Sequence, residues 1–180
     1  MDPKSSLPVG IVVERRPSDH PWEDHTWHVV GVIVGAREDA GEGDTWHEVS
    51  RDGDTVRYFA GTATIEMFRR EAEAYQVNLN NRTPVVYVVL RDDEDARQPL
   101  TVHLATVSAF EAQDYLDSGD EIVDTVAMPD TLKAWVARFV DAHHKEEKFV
   151  KRKRDEVRIE DHKFGQEPIF ARPRTNGAKT

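Results

Sequence analysis

Short apolar runs and alternating apolar and polar positions dominate the first half of the chain, and both patterns are typical of β-strands. The clearest runs are WHVVGVIVGA at 27–36 and VVYVVLR at 85–91. Asp52-Gly53 separates two alternating stretches and predicts a tight hairpin. The predicted strands occupy residues 7–15, 27–36, 46–51, 55–60, 62–68, 85–91, 100–107 and 122–127.

Three segments predict helices. The first is 69–78, where apolar residues recur at helical spacing. The second follows a capping-box pattern, in which Ser108 accepts the Glu111 amide and Glu111 reaches back to the Ser108 amide; Gly119 is placed to stop this helix. The third has Asp130 as its expected N-cap. Its apolar stripe consists of Leu132, Trp135, Val136, Phe139 and Val140.

Together these elements predict an α+β fold, with a mainly antiparallel twisted sheet or partly closed barrel packed by two to three helices. The strands arrive mostly as sequence neighbours, and the first seventy residues contain no helical pattern, which argues against a doubly wound α/β fold. At 180 residues the chain is long enough to bury a core. We expect residues 1–147 to form a single domain.

The charge is distributed unevenly along the chain. Residues 1–147 carry 14 Lys and Arg against 29 Asp and Glu, a net charge of −15, whereas residues 148–180 carry 10 against 5, a net charge of +5. The second segment is Pro, Gly and Arg rich near its end, so we predict a mixed-charge basic tail that is partly disordered. The acidic domain opposes nucleic-acid phosphates, so a nucleic-acid partner is not expected.

Several function classes lose support from what the sequence lacks. It has no cysteine, which excludes disulfides and thiolate chemistry, and no run of eighteen apolar residues to cross a membrane. It also lacks a P-loop, a GxGxxG fingerprint, a GxSxG elbow and an HExxH pair. We therefore expect a cytoplasmic protein with no cofactor and no catalytic residues. Four titratable residues could in principle act as acids or bases: Tyr75, Tyr115, Asp114 and Asp117. Nothing in the sequence places a second catalytic group near them.

The segment PSDHPWEDHTWH holds the densest group of metal-ligand side chains. His25 and His28, interleaved with carboxylates, are candidates for binding a divalent metal, although their spacing matches no known ligand signature. The alternative is structural: Trp22 and Trp27 predict an aromatic-anchored loop that packs over the sheet. Because the structural alternative needs no special spacing, we assign no metal ligands and regard the two tryptophans as candidate partner-binding residues.

The segment AHHKEEKFVKRKRDE ends the third predicted helix. His143 continues the apolar stripe, whereas His144 turns about 100° away, so the two imidazoles are not expected to chelate one ion. Cationic side chains at a helix C-terminus complement its dipole. The basic run is either a solvated face or a docking arm for an acidic protein. The candidate partner-binding residues here are His143, His144, Glu146, Glu147, Lys151, Arg152, Lys153 and Arg154.

These segments resemble an uncharacterised bacterial family, domain of unknown function 3305. The resemblance rests on VVERR, PW…HTW, EAEAYQVNL and VYVVLR, and above all on VSAFEAQDYLDSGDEIVDTVAMP…AWVARFVDAHHKEEKFVKRKRD. It implies a genetic neighbourhood, because members of the family are encoded beside genes for molybdenum-dependent formate dehydrogenase. It implies no catalytic residues for this chain.

The leading hypothesis is a non-enzymatic accessory protein for a molybdenum-dependent formate dehydrogenase system, acting in assembly, cofactor insertion or regulation. Its partner would be a molybdoenzyme subunit or a maturation factor. The alternative is a small metal- or nucleotide-handling enzyme of molybdenum cofactor metabolism that uses the His-rich segment. Nucleic-acid binding through the basic run ranks last because of the charge of the domain.

Overall fold

The computed structural model describes residues 4–36, 46–93 and 98–144, which form an α+β fold. These residues contain seven strands in two antiparallel sheets, three α-helices and one 3₁₀ turn at Arg69–Glu71. The strands are β1 (Lys4–Pro17), β2 (His25–Val34), β3 (His47–Asp52), β4 (Thr55–Phe68), β5 (Val85–Asp92), β6 (Leu100–Thr106) and β7 (Ile122–Ala127). The helices are α1 (Ala72–Leu79), α2 (Ala109–Ser118) and α3 (Asp130–His143).

The first sheet has the strand order β2-β1-β4-β3 and the second has the order β6-β5-β7. The predicted α+β class and antiparallel pairing are confirmed, but the predicted alternative of a partly closed barrel is wrong. In the part of the chain that the structure describes, the sheets do not close, because β2 and β3 remain edge strands of the first sheet and β6 and β7 remain edge strands of the second.

The core lies between the inner faces of the sheets and is extended by α1 and α3. Alternation on β1 turns Val9, Ile11 and Val13 inward, and the same alternation on β5 turns Val86 and Val88 inward. Further core residues come from the apolar stripe of α3: Leu132, Val136, Phe139 and Val140. The second sheet is covered on its other face by α2, which contacts all three of its strands. No helix among the described residues is long and apolar enough to span a membrane.

β4 is one strand of 14 residues rather than the two strands predicted at 55–60 and 62–68. Ala60 and Gly61 stand opposite the single residue Ile11 of β1, which makes a β-bulge. Gly61 has φ +107°, a conformation that glycine adopts without a steric penalty. The glycine therefore bends the strand at the bulge and does not end it.

The helix ends agree with the predictions only in part. Ser108 Oγ accepts the Glu111 N–H at 3.2 Å, as the capping box predicts, but the Ser108 N–H donates to Thr106 Oγ1 at 3.0 Å and not to the Glu111 side chain. Gly119 ends α2 with φ +71°. α3 begins at Asp130, which is therefore its first residue and not its N-cap; the carboxylate lies in the first turn, where it complements the helix dipole.

Asp124 links the two sheets. Its Oδ2 accepts the N–H of Val29 on edge strand β2 at 2.8 Å, and its Oδ1 accepts the Thr125 N–H at 2.8 Å. We expect Asp124→Ala to lower the free energy of unfolding by about 1–2 kcal/mol, because a backbone donor at the sheet edge loses its acceptor. Urea denaturation of this variant and of Asp120→Ala, a change at an exposed carboxylate, tests the link. Equal stability of the two variants would show that the link contributes nothing.

Candidate functional site

In the hairpin tip between β1 and β2, residues 18–24, every residue except Ser18 is exposed. Hydrogen bonds hold it in shape: the Ser18 N–H donates to the Asp24 carbonyl at 3.1 Å, the Glu23 N–H to the His20 carbonyl at 3.3 Å, and the His20 N–H to Ser18 Oγ at 3.1 Å. The prolines and short polar residues of this segment favour such a turn. The tip is therefore a braced loop and not an extended linker.

Trp22 projects from this tip with 87% of its surface exposed, the largest fraction of any exposed large apolar side chain in the described residues. The prediction that Trp22 packs over the sheet is therefore wrong. The turn directs its ring away from the strands, and no described ring lies beside it. Three exposed carboxylates surround it in sequence: Asp19, Glu23 and Asp24. The tip therefore offers a partner an exposed apolar ring with three exposed carboxylates close to it in sequence.

Trp27 lies in β2 and is half-buried. Its ring meets Trp46 edge-on with the centroids 5.5 Å apart, and Tyr58 lies 6.1 Å away. The Arg15 guanidinium lies 5.9 Å from the Tyr58 ring, and its buried Nε has no hydrogen-bond partner among the described residues. Tyr58 joins this cluster because β4 and β2 both pair with β1, and Trp46 joins it because it directly precedes β3, which pairs with β4. These pairings are nonlocal, so the local sequence pattern did not predict the cluster.

His25 and His28 lie three residues apart on β2, so their side chains point to opposite faces of the sheet. The fold therefore does not bring them together as ligands of one ion. His28 Nδ1 lies 4.0 Å from Asp124 Oδ2, whereas His25 is exposed near the tip. Among the described residues, no group of three His, Asp or Glu side chains has an arrangement that could hold a metal ion.

Beside the end of α2, polar groups lie together that the sequence did not predict to be neighbours. His103 Nε2 lies 3.3 Å from the Tyr115 hydroxyl. Glu121 accepts bonds from Arg91 at 2.8 and 3.1 Å and from Ser118 at 2.9 Å. The Arg91 guanidinium, with help from Ser118, holds the pKa of the Glu121 carboxyl below its usual range. Arg91 and Glu121 each lie next to a member of the Leu90–Ile122 pair of β5 and β7, and no local pattern encodes this pairing.

His143 and His144 occupy different environments at the end of α3. The His143 ring packs against Phe139, with centroids 4.5 Å apart, as the apolar stripe predicts. α3 ends at His143, so His144 has extended backbone and helical geometry no longer sets the direction of its side chain. The residue lines a cavity, and its Nε2 is buried without a hydrogen-bond partner among the described residues.

The remaining predicted partner-binding residues lie outside the described residues, and so does the predicted tail, residues 148–180. They are Glu146, Glu147, Lys151, Arg152, Lys153 and Arg154. Their roles stay predictions. The described part of the candidate site is thus the hairpin tip with Trp22, with the end of α3 as a second location.

A family model with the description "Protein of unknown function (DUF3305)" matches residues 8–153. No curated protein and no solved structure matches the chain. The family match begins in β1, includes all of β2 to β7 and α1 to α3, and covers well over half of the sequence. The chain therefore belongs to the DUF3305 family.

Proposed function

We propose that this chain is a non-enzymatic accessory protein that binds a protein partner through the hairpin tip. The observation that supports this proposal is Trp22, 87% exposed on a loop that contains three internal hydrogen bonds. Tryptophan is enriched at the energetic centres of protein interfaces, because one ring removes a large apolar area from water at little cost in conformational entropy. A braced loop loses less entropy on binding than a disordered one.

The energy available from the ring alone is large enough to matter. An aromatic side chain buries about 150–250 Å², which at about 25 cal/mol per Å² corresponds to roughly 4–6 kcal/mol before the costs of association. The flanking carboxylates Asp19, Glu23 and Asp24 favour a partner whose apolar pocket has a basic rim. They would also accelerate encounter with such a surface at low salt.

We further propose that the partner belongs to a molybdenum-dependent formate dehydrogenase system, as an enzyme subunit or a maturation factor. This choice rests on the genetic neighbourhood that the family resemblance implies. Assembly, cofactor insertion and regulation are all roles for a protein that contacts the enzyme without catalysing its reaction. The absence of nucleotide-binding and hydrolase motifs in the sequence supports an accessory role over an enzymatic one.

The test is affinity capture of formate dehydrogenase subunits and maturation factors by the tagged full chain, co-expressed with them. We expect Trp22→Ala to weaken capture at least tenfold, because truncating an anchoring aromatic residue costs about 2 kcal/mol or more of binding free energy. The free energy of unfolding should change by less than about 0.5 kcal/mol, since the ring is exposed.

The matched control is Phe110→Ala, which removes an aromatic ring that is 53% exposed on α2, away from the tip. It should leave capture unchanged. If neither dehydrogenase subunits nor maturation factors are captured above background by the unmodified chain, the proposed partner is wrong. If capture occurs but Trp22→Ala behaves like the control, the result supports the proposed partner but shows that the tip is not its binding site.

A further inference from the structure

One buried carboxylate holds two arginine side chains on the face of the first sheet that points away from the core. Val13 points into the core, so alternation along β1 turns Glu14 and Arg16 toward the opposite face. Arg57 stands directly opposite Glu14 on β4 and shares that face. Glu14 Oε1 accepts a hydrogen bond from Arg16 Nε, and Glu14 Oε2 accepts one from Arg57 Nε at 2.6 Å.

The charges of this group do not cancel. Arg51 and Glu48, for comparison, form a one-to-one pair, in which two guanidinium nitrogens bind one carboxylate. Glu14 is instead shared by two guanidinium groups. Hydrogen bonds from Arg57 and Arg16 hold the pKa of the Glu14 carboxyl below its usual range, so the carboxylate stays ionised. Two positive charges against one negative give the group a net charge of +1.

The two arginine side chains are accessible to a ligand. They are 53% exposed at Arg16 and 56% exposed at Arg57, although the Glu14 side chain between them is only 3% exposed. Each guanidinium has five N–H donors, of which only the Nε–H binds Glu14. Among the described residues, the Nη groups of both arginines have no other hydrogen-bond partner. Because arginine does not lose its proton in proteins, these groups remain donors.

Glu14 also orients the two arginines before a ligand arrives. Long side chains lose conformational entropy on binding, and bonds to a buried carboxylate have already restricted both of these. Hydroxyl groups flank the pair: Thr26 stands opposite Arg16 on β2, and Ser50 stands opposite Arg57 on β3. Residues directly opposite each other share a face of the sheet, so these hydroxyls can add donors. Clustered donors of this kind suit a ligand that only accepts hydrogen bonds.

A ligand with a single negative charge fits this site best. A carboxylate has two acceptor oxygens in one plane and pairs with guanidinium N–H groups in a bidentate manner. One carboxylate brings the net charge of the group to zero. A phosphate dianion would add an excess negative charge to a domain whose residues 1–147 already carry a net charge of −15. The site therefore favours a carboxylate over a phosphate.

The arginine pair adjoins the hairpin tip, because Arg16 lies two residues before Ser18, where the tip begins. We propose that Arg16 and Arg57 bind an aspartate or glutamate carboxylate of the protein partner, with Glu14 as the residue that positions both. This inference rests on the proposed function, in that the partner is the one that Trp22 engages. It adds to the partner surface an acidic side chain beside the apolar pocket.

The first experiment titrates the full chain with N-acetyl-glutamate α-amide, which presents one side-chain carboxylate, and records the arginine Nε–H signals by NMR. We expect saturable shifts at Arg16 and Arg57 and none at Arg51, whose guanidinium already binds Glu48. N-acetyl-glutamine amide, which is neutral and nearly isosteric, should produce no shifts. Arg16→Gln should weaken binding of the carboxylate by at least about fivefold, because one of two charged donors is lost.

Three results of the titration would overturn the proposal. They are the lack of a saturable shift, equal shifts at Arg51 or with the glutamine amide, and tighter binding of inorganic phosphate than of the carboxylate.

The second experiment repeats the affinity capture with Arg57→Gln, and Arg51→Gln is the matched control. Arg57→Gln should weaken capture by at least about fivefold, and Arg51→Gln should leave it unchanged. Arg16→Gln is the second variant, in case loss of the Arg57 bond to buried Glu14 prevents folding. Unchanged capture by both site variants would overturn the assignment of the carboxylate to the partner.

The two proposals fail in different ways. Failure of the titration while Trp22→Ala still weakens capture overturns this inference alone. Absence of capture by the unmodified chain overturns the proposed partner, and the titration then decides whether Arg16 and Arg57 form a carboxylate site.

Discussion

Asn78→Ala is expected to lower the free energy of unfolding by about 3–5 kcal/mol, although it deletes only a small polar group. Asn78 is fully buried at the end of α1 and joins the helix to the start of β5 and to the residue that directly follows β6. Its Nδ2 donates to the carbonyls of Val85 at 2.8 Å and Val107 at 2.9 Å, and its Oδ1 accepts the Val85 N–H at 3.0 Å. The alanine variant leaves three backbone groups without a partner, each at a cost of about 1–3 kcal/mol.

Asn78→Asp separates the roles of donor and acceptor. The carboxylate can still accept the Val85 N–H, but it faces the carbonyls of Val85 and Val107 with no proton to donate. We expect this variant to be at least as unstable as Asn78→Ala at pH 7. Burial and the two carbonyls would raise the pKa of the introduced acid. Its stability should therefore recover as the pH falls, since the protonated acid regains one donor.

The measurement is urea denaturation at pH 7 and pH 4.5, with Asn80→Ala as the control. Asn80 lies two residues further along, and among the described residues its exposed side chain bonds only Gln76, so its loss should cost no more than about 0.5 kcal/mol. If Asn78→Ala costs no more than Asn80→Ala, the three hydrogen bonds of Asn78 do not hold α1 to the second sheet.

Asn78 also marks the limit of prediction from the sequence. The sequence predicted the helix around it, because Ala72, Tyr75 and Leu79 recur at helical spacing. An asparagine near a helix end is common on the surface, so its identity does not predict burial. Its burial follows from β5 and β6, which bring Val85 and Val107 to one point. Such pairing is nonlocal, and a single sequence carries little direct record of it.

The same distinction applies to the candidate site. The prolines and acidic residues around Trp22 predicted the turn correctly, because turn chemistry is local. Whether the ring is covered depends on elements distant in sequence, so its exposure was not predictable. The direction of the His144 side chain was not predictable for a different reason, because a helical angle does not apply to a residue that lies one position beyond the end of α3. Helix boundaries are the least certain part of a secondary structure predicted from one sequence.

Substitution of Tyr75 is expected to have the second large effect on the free energy of unfolding, to which its ring and its hydroxyl contribute separately. The side chain is fully buried, and its ring meets Phe139 edge-on at 6.0 Å. The hydroxyl accepts the Phe68 N–H at 2.9 Å and donates to Glu71 at 3.4 Å. We expect Tyr75→Ala to cost about 3–5 kcal/mol, the usual range for deleting a buried aromatic ring, and Tyr75→Phe to cost about 1–2 kcal/mol for the lost hydrogen bonds.

The hydroxyl also predicts a pH dependence. Burial raises the pKa of Tyr75 well above its ordinary value, so the folded state keeps the proton when the unfolded state loses it. Stability from this group is therefore fully present below about pH 10 and is lost as the pH rises further. By pH 11 the loss should reach roughly 1.4 kcal/mol from Tyr75 alone. Tyr75→Phe has no proton to lose and should lack this component.

The measurement is urea denaturation of the unmodified chain and of Tyr75→Phe at pH 8, 10 and 11. The difference between their free energies of unfolding, compared across the three pH values, gives the contribution of Tyr75 ionisation. Tyr87→Phe is the control, because Tyr87 is half-buried on β5 and its hydroxyl makes no hydrogen bond to the described residues. The advantage of the unmodified chain over Tyr75→Phe should shrink between pH 10 and 11, whereas its difference from Tyr87→Phe should change less. A constant advantage over Tyr75→Phe across this range would mean that Tyr75 ionises in the folded protein as readily as in the unfolded one, which contradicts its burial.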